Sequence, residues 1–118
     1  MDIEALSEQV EAVSAGYAAA FGIDRDEPWF LLKLQEEMGE LTQAYLMLRG
    51  LARTKGRTSE ERDAAFRAEV ADVFCHVLLL ARAHDVDLPA EIGRKWLSRL
   101  EVPCRLDPPG SGAPPGPA

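Results

Sequence analysis

The stretch EEMGE at Glu36–Glu40 decides the fold of this chain, together with a second acidic stretch, EVAD at Glu69–Asp72. In each stretch two carboxylates lie three residues apart, a spacing that brings side chains onto one face of a helix. The segments around both stretches carry apolar residues every three or four positions, which is the pattern of amphipathic helices. We therefore predict two helices, each with a pair of acids on one face.

The two acidic pairs are placed symmetrically in the sequence. Glu37 and Asp72 lie equally far from the segment 54–55, and so do Glu40 and Glu69. If the two helices fold back on each other as an antiparallel hairpin about that segment, Glu37 faces Asp72 and Glu40 faces Glu69. Four carboxylates at one level repel one another unless a cation compensates them. The symmetry therefore predicts a cation site between the helices.

Helix signals also occupy the rest of the chain up to about residue 102. A first helix is predicted to end at Gly22, a second to run from its cap at Asp26 to about Gly50, and a third to open at Thr58. The third helix ends near His84, and Asp87 caps a shorter fourth helix. The buried seams predicted for the four helices are, in order, Ile3, Leu6, Val10, Val13, Tyr17 and Ala20; Leu31, Leu34, Met38, Leu41, Tyr45 and Leu48; Phe66, Val70, Val73, Val77 and Leu80; and Ile92, Trp96 and Leu100. Strand signals are absent, so we predict an all-α, four-helix bundle.

Length and composition predict one small globular domain at residues 1–102, followed by a disordered Pro/Gly-rich tail at 103–118. The net charge of −7 argues against a nucleic-acid polymer or an anionic membrane as partner. Purely apolar stretches are too short to span a bilayer. Two cysteines in unrelated contexts, and a start that does not resemble a secretory signal, favour a cytoplasmic location.

The acids at the hairpin lack local counter-charges. Lys33 lies four residues before Glu37, but no lysine or arginine lies three or four residues from Glu40, Glu69 or Asp72. Solvated acidic helix faces usually carry such partners. Carboxylate oxygens with no cysteine nearby favour Mg²⁺, with Mn²⁺ as the alternative. We therefore predict that Glu37, Glu40, Glu69 and Asp72 are metal ligands.

Two further residues on the second helix are candidates for catalysis and phosphate binding. Glu36 lies about 40° around the helix from Glu40, which allows it to stay outside the metal's ligand set. It is therefore a candidate base to orient or deprotonate an attacking water. Lys33 lies one turn before Glu37, where it either pairs with that carboxylate or meets a substrate phosphate.

Four ring side chains are candidates for substrate contact. His76 lies on the same helix face as Asp72, four residues later, and either binds substrate or hydrogen-bonds to Asp72 as a core histidine. Trp29, Tyr45 and Trp96 could stack on a nucleobase, but seam spacing favours a core position for Tyr45 and Trp96. For Trp29 the sequence favours neither base stacking nor a core position, because this residue lies at a helix start.

These motifs resemble the MazG-like, all-α NTP pyrophosphatases. The family pattern of two adjacent glutamates, a third after two residues, a spacer and Glu-x-x-Asp is present as Glu36-Glu37-x-x-Glu40, 28 intervening residues, and Glu69-x-x-Asp72. The similarity covers about residues 26–100, includes the step at 87–89 that leads to Lys95, and is greatest to the dCTP pyrophosphatase branch.

The resemblance implies Mg²⁺-dependent hydrolysis of an NTP or dNTP to the monophosphate and pyrophosphate, in clearance of the nucleotide pool. By motif position the four acids of the hairpin are the metal ligands, Glu36 orients water and Lys95 contacts substrate phosphate. Two alternatives remain. One is phosphoribosyl-ATP pyrophosphohydrolase, a related helical enzyme. The other is a non-catalytic helical module that senses nucleotide or binds a protein.

The apolar seams are longer than a single helical hairpin can cover. We therefore expect subunits to associate, as a homodimer that completes a bundle or as a dimer of dimers.

Overall fold

A computed structural model of the protein describes residues 2–101, and this part of the chain is helical with no β-strand. The elements are α1 (Ile3–Phe21), α2 (Glu27–Leu48), α3 (Ser59–Ala83), α4 (Leu88–Lys95) and a 3₁₀ helix (Leu97–Glu101). The predicted all-α class is confirmed. The predicted tail at 103–118 lies outside the described residues.

The helix starts follow from side chains that satisfy the first backbone amides. The Asp26 carboxylate accepts a hydrogen bond from the Trp29 amide at 3.1 Å, which caps α2. Thr58 and Glu61 form a complete capping box at α3, with each side chain accepting from the other residue's amide at 3.1 and 2.8 Å. Gly22 ends α1 with a φ of 64°, a conformation that glycine adopts without strain. These three boundaries agree with the sequence prediction.

The dominant packing in the described residues is between α2 and α3. The rings of Tyr45 and Phe66 lie 6.0 Å apart, and those of Trp29 and His76 lie 6.3 Å apart. Moving towards the start of α2 therefore means moving towards the end of α3, which makes the pair an antiparallel hairpin. The ten-residue link between them contains the predicted turn.

The chain divides into two compact units, one ending at His84 and the other beginning at Asp85. In the first unit, α1 packs against α3 as a third helix. The buried apolar residues of this unit are Ala18, Ala44, Met47, Leu78, Leu79 and Ala81. The core is therefore built largely from small and medium side chains, which allow close helix contacts.

The predicted seam of α2 is covered only in part, because Leu34, Leu41 and Leu48 are half-buried and its other three members are exposed. Leu31, Met38 and Tyr45 are 57, 41 and 46% exposed, whereas Glu37 is only 7% exposed. Adjacent helical residues point about 100° apart, so a covered face centred on Glu37 and Ala44 leaves Leu31, Met38 and Tyr45 at its outer edge. Periodicity identified which side chains share a stripe, but not which stripe α1 and α3 cover.

The seams of α1 and α3 are likewise covered only in part. Val70 on α3 is 45% exposed. Val13 and Tyr17 on α1 are more exposed than Val70. Exposed large apolar side chains are therefore distributed over all three helices of the first unit.

The second unit contains α4 and the 3₁₀ helix. The predicted fourth helix is too long, because α4 ends at Lys95 and the chain tightens into 3₁₀ geometry from Leu97. Gly93 within this eight-residue helix lowers its intrinsic stability by about 1 kcal/mol relative to alanine. Trp96 and Leu100, expected on a buried seam, are 44 and 82% exposed. Across residues 2–101, each helix is too short or too polar to cross a lipid bilayer.

Candidate metal and substrate site

The hairpin brings the predicted acidic residues of α2 and α3 together. One carboxylate oxygen each from Glu37, Glu69 and Asp72 lie within 4.8 Å of one another. A second group with the same spacing joins Glu37 to Glu36 and Glu40 on α2. Glu37 is common to both groups, so the expected meeting of Glu37 and Asp72 is present in the fold.

The buried position of Glu37 is electrostatically costly. Burial raises the pKa of Glu37 to about 7, and its hydrogen bond with Glu40 and the charges of Glu40 and Asp72 act in the same direction. Burial also raises the pKa of Glu69, and the charges of Asp72 and Glu40 add to this effect. Both shifts mean that burial and neighbouring negative charges disfavour the ionised form of these carboxylates.

The described residues provide one cation to this cluster. The Lys33 ammonium lies 3.1 Å from a Glu36 oxygen and 3.8 Å from a Glu37 oxygen. Among the ion pairs of residues 2–101, none includes Glu40, Glu69 or Asp72. The sequence predicted this shortage correctly, although Lys33 lies closer to Glu36 than to Glu37.

One carboxylate oxygen lacks any partner. The Oε2 atom of Glu69 is buried and makes no hydrogen bond. An unsatisfied buried oxygen costs about 1–3 kcal/mol, and more when it is charged. This atom, together with an all-oxygen donor set, fits a hard divalent cation such as Mg²⁺ at the group of Glu37, Glu69 and Asp72. Glu40, the fourth predicted ligand, belongs to the other group, with Glu37 and with Glu36, which was predicted to lie outside the ligand set.

A cavity of about 700 Å³ opens beside the carboxylates, within the range of small-molecule sites. Four predicted site residues line it, namely Lys33, Glu37, Asp72 and His76. The remaining lining is mostly apolar and comes from all three helices and the link after α1: Gln9, Val10, Val13, Ser14, Tyr17, Ala18, Ile23, Trp29, Cys75 and Leu79. The cavity is therefore lined by both charged and apolar side chains.

The sequence did not predict the contribution of α1 to this cavity. Its seam was expected to be core, yet Val10, Val13 and Tyr17 form part of the cavity wall. The pattern of α1 is that of any amphipathic helix, and only its packing on α3 shows which side chains meet the site. No local motif carried that information.

His76 lies in the cavity wall as a half-buried ring. Burial lowers its pKa, with the Lys33 charge acting in the same direction and the Asp72 charge opposing it. Its Nδ1 atom is buried without a hydrogen-bond partner, so this atom does not make the bond to Asp72 that was one of the two interpretations of His76. Trp29 lies 6.3 Å from the His76 ring and lines the same cavity. These two rings and Tyr17 are the aromatic side chains of the cavity lining.

The remaining predicted ring and phosphate residues lie elsewhere. Tyr45 contacts Phe66 and is 46% exposed, so its predicted core position is wrong within this chain. Lys95 is the last residue of α4, in the second unit. Cys75 lines the cavity half-buried, and burial, with the nearby Asp72 charge, raises the pKa of its thiol.

Comparison with protein-family models, with curated proteins and with solved structures finds no match to this chain.

Proposed function

We propose that this protein is a Mg²⁺-dependent pyrophosphohydrolase that converts a nucleoside or deoxynucleoside triphosphate into the monophosphate and pyrophosphate. The observation that carries the proposal is the cavity in which Glu37 and Asp72 share a wall with Trp29 and His76. A nucleotide has a matching division of chemistry, with a polyanionic end that needs cations and a flat apolar base. The cavity volume of about 700 Å³ suits a molecule of nucleotide size.

The charged residues of the cavity lining would take the triphosphate. Mg²⁺ held by Glu37, Glu40, Glu69 and Asp72 would polarise phosphoryl oxygens and offset charge on the pyrophosphate leaving group. Lys33 lines the cavity one turn from Glu37 and supplies a protein cation to the same end. The raised pKa of Glu37 and of Glu69 is the condition that a bound cation relieves.

Glu36 is assigned the water-orienting role. Its side chain is 60% exposed, and it accepts a hydrogen bond from Lys33 at 3.1 Å. It is therefore an accessible carboxylate whose direction is fixed by a neighbour. In the proposed step a water oxygen bonds to the α-phosphorus, the bond from that phosphorus to the bridging oxygen of pyrophosphate breaks, and Glu36 accepts the proton.

The apolar residues of the cavity lining would hold the base. Trp29 and Tyr17 offer ring surfaces, while Val10, Val13 and Ile23 offer aliphatic contact. His76, which lines the same cavity, would meet the sugar or the first phosphate. Lys95 is proposed as a further phosphate contact on the strength of the motif resemblance alone.

The same motifs support a MazG-like bundle completed by association of subunits, most similar to the dCTP pyrophosphatase branch. Exposed apolar side chains on each helix of the first unit give a physical reason for association. Clearance of non-canonical or surplus nucleotides in the cytoplasm follows from the resemblance.

The test is pyrophosphate release from a panel of ribo- and deoxynucleoside triphosphates and phosphoribosyl-ATP, with Mg²⁺, with Mn²⁺ and with EDTA. We expect metal-dependent turnover that Glu40→Gln and Asp72→Asn each reduce by at least about a hundredfold, since both remove charge where it is needed. Asp63→Asn is the matched control on α3, because Asp63 pairs with Arg67 at the surface. We expect this variant to leave turnover unchanged.

The outcomes separate the alternatives. Turnover of phosphoribosyl-ATP alone would identify the protein as a phosphoribosyl-ATP pyrophosphohydrolase. Metal-dependent nucleotide binding without turnover of any substrate would replace the enzyme with a sensing module. Equal loss in the Asp63→Asn control would show that the effect on turnover is not specific to the cluster.

A further inference from the structure

The exposed side of α2 carries a stripe with a regular spacing. Leu31, Met38 and Tyr45 follow one another at seven-residue intervals, so they lie on one line along the helix. All three are more than two-fifths exposed. Seven-residue spacing of apolar side chains is the pattern of a helix that packs along a partner helix.

Charges of opposite sign end this stripe. Glu27 lies four residues before Leu31, and Arg49 lies four residues after Tyr45. Both are exposed, and neither joins an ion pair within residues 2–101. The stripe is therefore acidic at its start, apolar in the middle and basic at its end.

The order of these residues is symmetric about Met38. Glu27 and Arg49 lie eleven residues to either side of it, and Leu31 and Tyr45 lie seven residues to either side. When two such stripes pack antiparallel about a two-fold axis at Met38, each Glu27 meets the other copy's Arg49 and each Leu31 meets the other copy's Tyr45. A two-fold interface requires this kind of self-complementary surface.

The charges next to the stripe repeat the pattern. The link between α2 and α3 contains Arg49, Arg53, Lys55 and Arg57 and no acid, so the basic end extends beyond the helix. Asp24 and Asp26 extend the acidic end, and the arginine between them is already paired with Glu11 at 2.7 Å. A parallel pairing would place like charges together at both ends.

We propose that a second copy of this chain docks on this stripe, with the α2 helices antiparallel and the two-fold axis at Met38. Met38 is one residue from Glu37 and so lies about 100° around the helix from it, which leaves the cavity side of α2 uncovered. The inference specifies the subunit association proposed above and does not depend on the enzymatic activity. Its tests measure mass and proximity, so their failure is distinct from absence of turnover.

The first test compares Met38→Glu with Leu32→Glu by sedimentation equilibrium. Wild-type protein is expected at no less than twice the 12.9 kDa of one chain. Met38→Glu places two negative charges at the axis and halves the mass of the assembly. Leu32 is 65% exposed but lies off the stripe, so Leu32→Glu keeps the wild-type mass. Far-ultraviolet circular dichroism checks that both variants stay helical. A monomeric wild type, or equal loss of mass in both variants, overturns the proposal.

The second test reads the register with a short bis-maleimide cross-linker. In a Cys75→Ala, Cys104→Ala background, Met38→Cys lies against its own copy and cross-links to a dimer. Leu31→Cys alone does not, because its copy lies about 20 Å away along the axis. Leu31→Cys combined with Tyr45→Cys cross-links again. Cross-linking by Leu31→Cys alone in preference to Met38→Cys rules out this register.

The third test exchanges the end charges. Glu27→Arg and Arg49→Glu are each expected to weaken dimerisation about tenfold or more, because each places like charges together at both ends of the interface. The double exchange, Glu27→Arg with Arg49→Glu, restores both pairs and returns the dissociation constant to near the wild-type value. If the losses of dimerisation free energy in the two single variants simply add in the double variant, the antiparallel pairing is overturned.

Discussion

Glu11 and Glu37 are two glutamates in helices of the same unit with opposite electrostatic environments. Both Glu11 oxygens accept hydrogen bonds from Arg25, at 3.0 and 2.7 Å, and this contact lowers the pKa of Glu11. Glu37 is 7% exposed, its nearest ammonium lies 3.8 Å away, and its pKa is raised to about 7.

The difference shows which carboxylates the fold completes by itself. Arg25 is fourteen residues from Glu11, also donates to Ser14 at 3.1 Å, and lies over the Phe30 ring at 5.4 Å. It ties the link after α1 to both α1 and α2. The acids between α2 and α3 receive no comparable arginine from residues 2–101, and one Glu69 oxygen is buried without a partner. The first region is a completed ion pair, whereas in the second region burial and neighbouring negative charges disfavour the ionised form of Glu37 and Glu69.

The largest expected effect comes from neutralising Glu37 in metal-free protein. A folded pKa of about 7 above the reference value of 4.5 means that the folded state favours the protonated form. The contribution of protonated Glu37 to the free energy of unfolding is therefore complete below pH 4.5. It is lost as pH rises through about 7, and the free energy of unfolding falls by about 3 kcal/mol. Glu37→Gln should remove this loss and be more stable than wild type above pH 7.

Urea unfolding in EDTA across this pH range measures the effect. The quantity of interest is the difference between wild type and Glu37→Gln, because other groups, including His76, titrate in both proteins. A difference that does not change with pH would contradict the expectation.

The next effect is stabilisation by Mg²⁺. At a concentration one hundred times the dissociation constant, a ligand that binds only the folded state adds about 2.7 kcal/mol. Thermal unfolding above pH 7 should show this gain in wild type and in Glu11→Gln, and much less of it in Glu69→Gln. Equal gains in all three proteins would place the bound ion outside the carboxylate cluster.

The smallest expected change in stability comes from breaking the ion pair between Arg25 and Glu11. Glu11→Gln should lower the free energy of unfolding near neutral pH by about 1 kcal/mol, because the pair is only part-buried and solvent screens it. Since the folded pKa of Glu11 is lowered, this contribution is present above its reference value of 4.5 and is lost as pH falls through the folded value. Asp63→Asn, which breaks the exposed pair with Arg67, is the control and should cause no measurable change. A larger loss in the control would contradict this ranking.

The sequence by itself determined the helices and the position of the acids along them. Asp26, the Thr58–Glu61 capping box and Gly22 set boundaries through local hydrogen bonds and local φ values, which depend on neighbours within a few residues. The level of Glu37 against Asp72 also follows from the sequence, because the rise per residue is the same in two antiparallel helices.

Only the tertiary structure decided which face of each helix is covered. Apolar periodicity shows that Leu31, Met38 and Tyr45 share a stripe, but covering it depends on partners distant in sequence. In the fold, the covered face of α2 contains Glu37. Residues of α1 line the cavity, although no sequence motif predicted this. The Arg25–Glu11 pair was likewise invisible in the sequence, since it joins residues fourteen positions apart. Local chemistry fixes where a helix begins and ends, whereas its rotation about its axis is fixed by the sum of its long-range contacts.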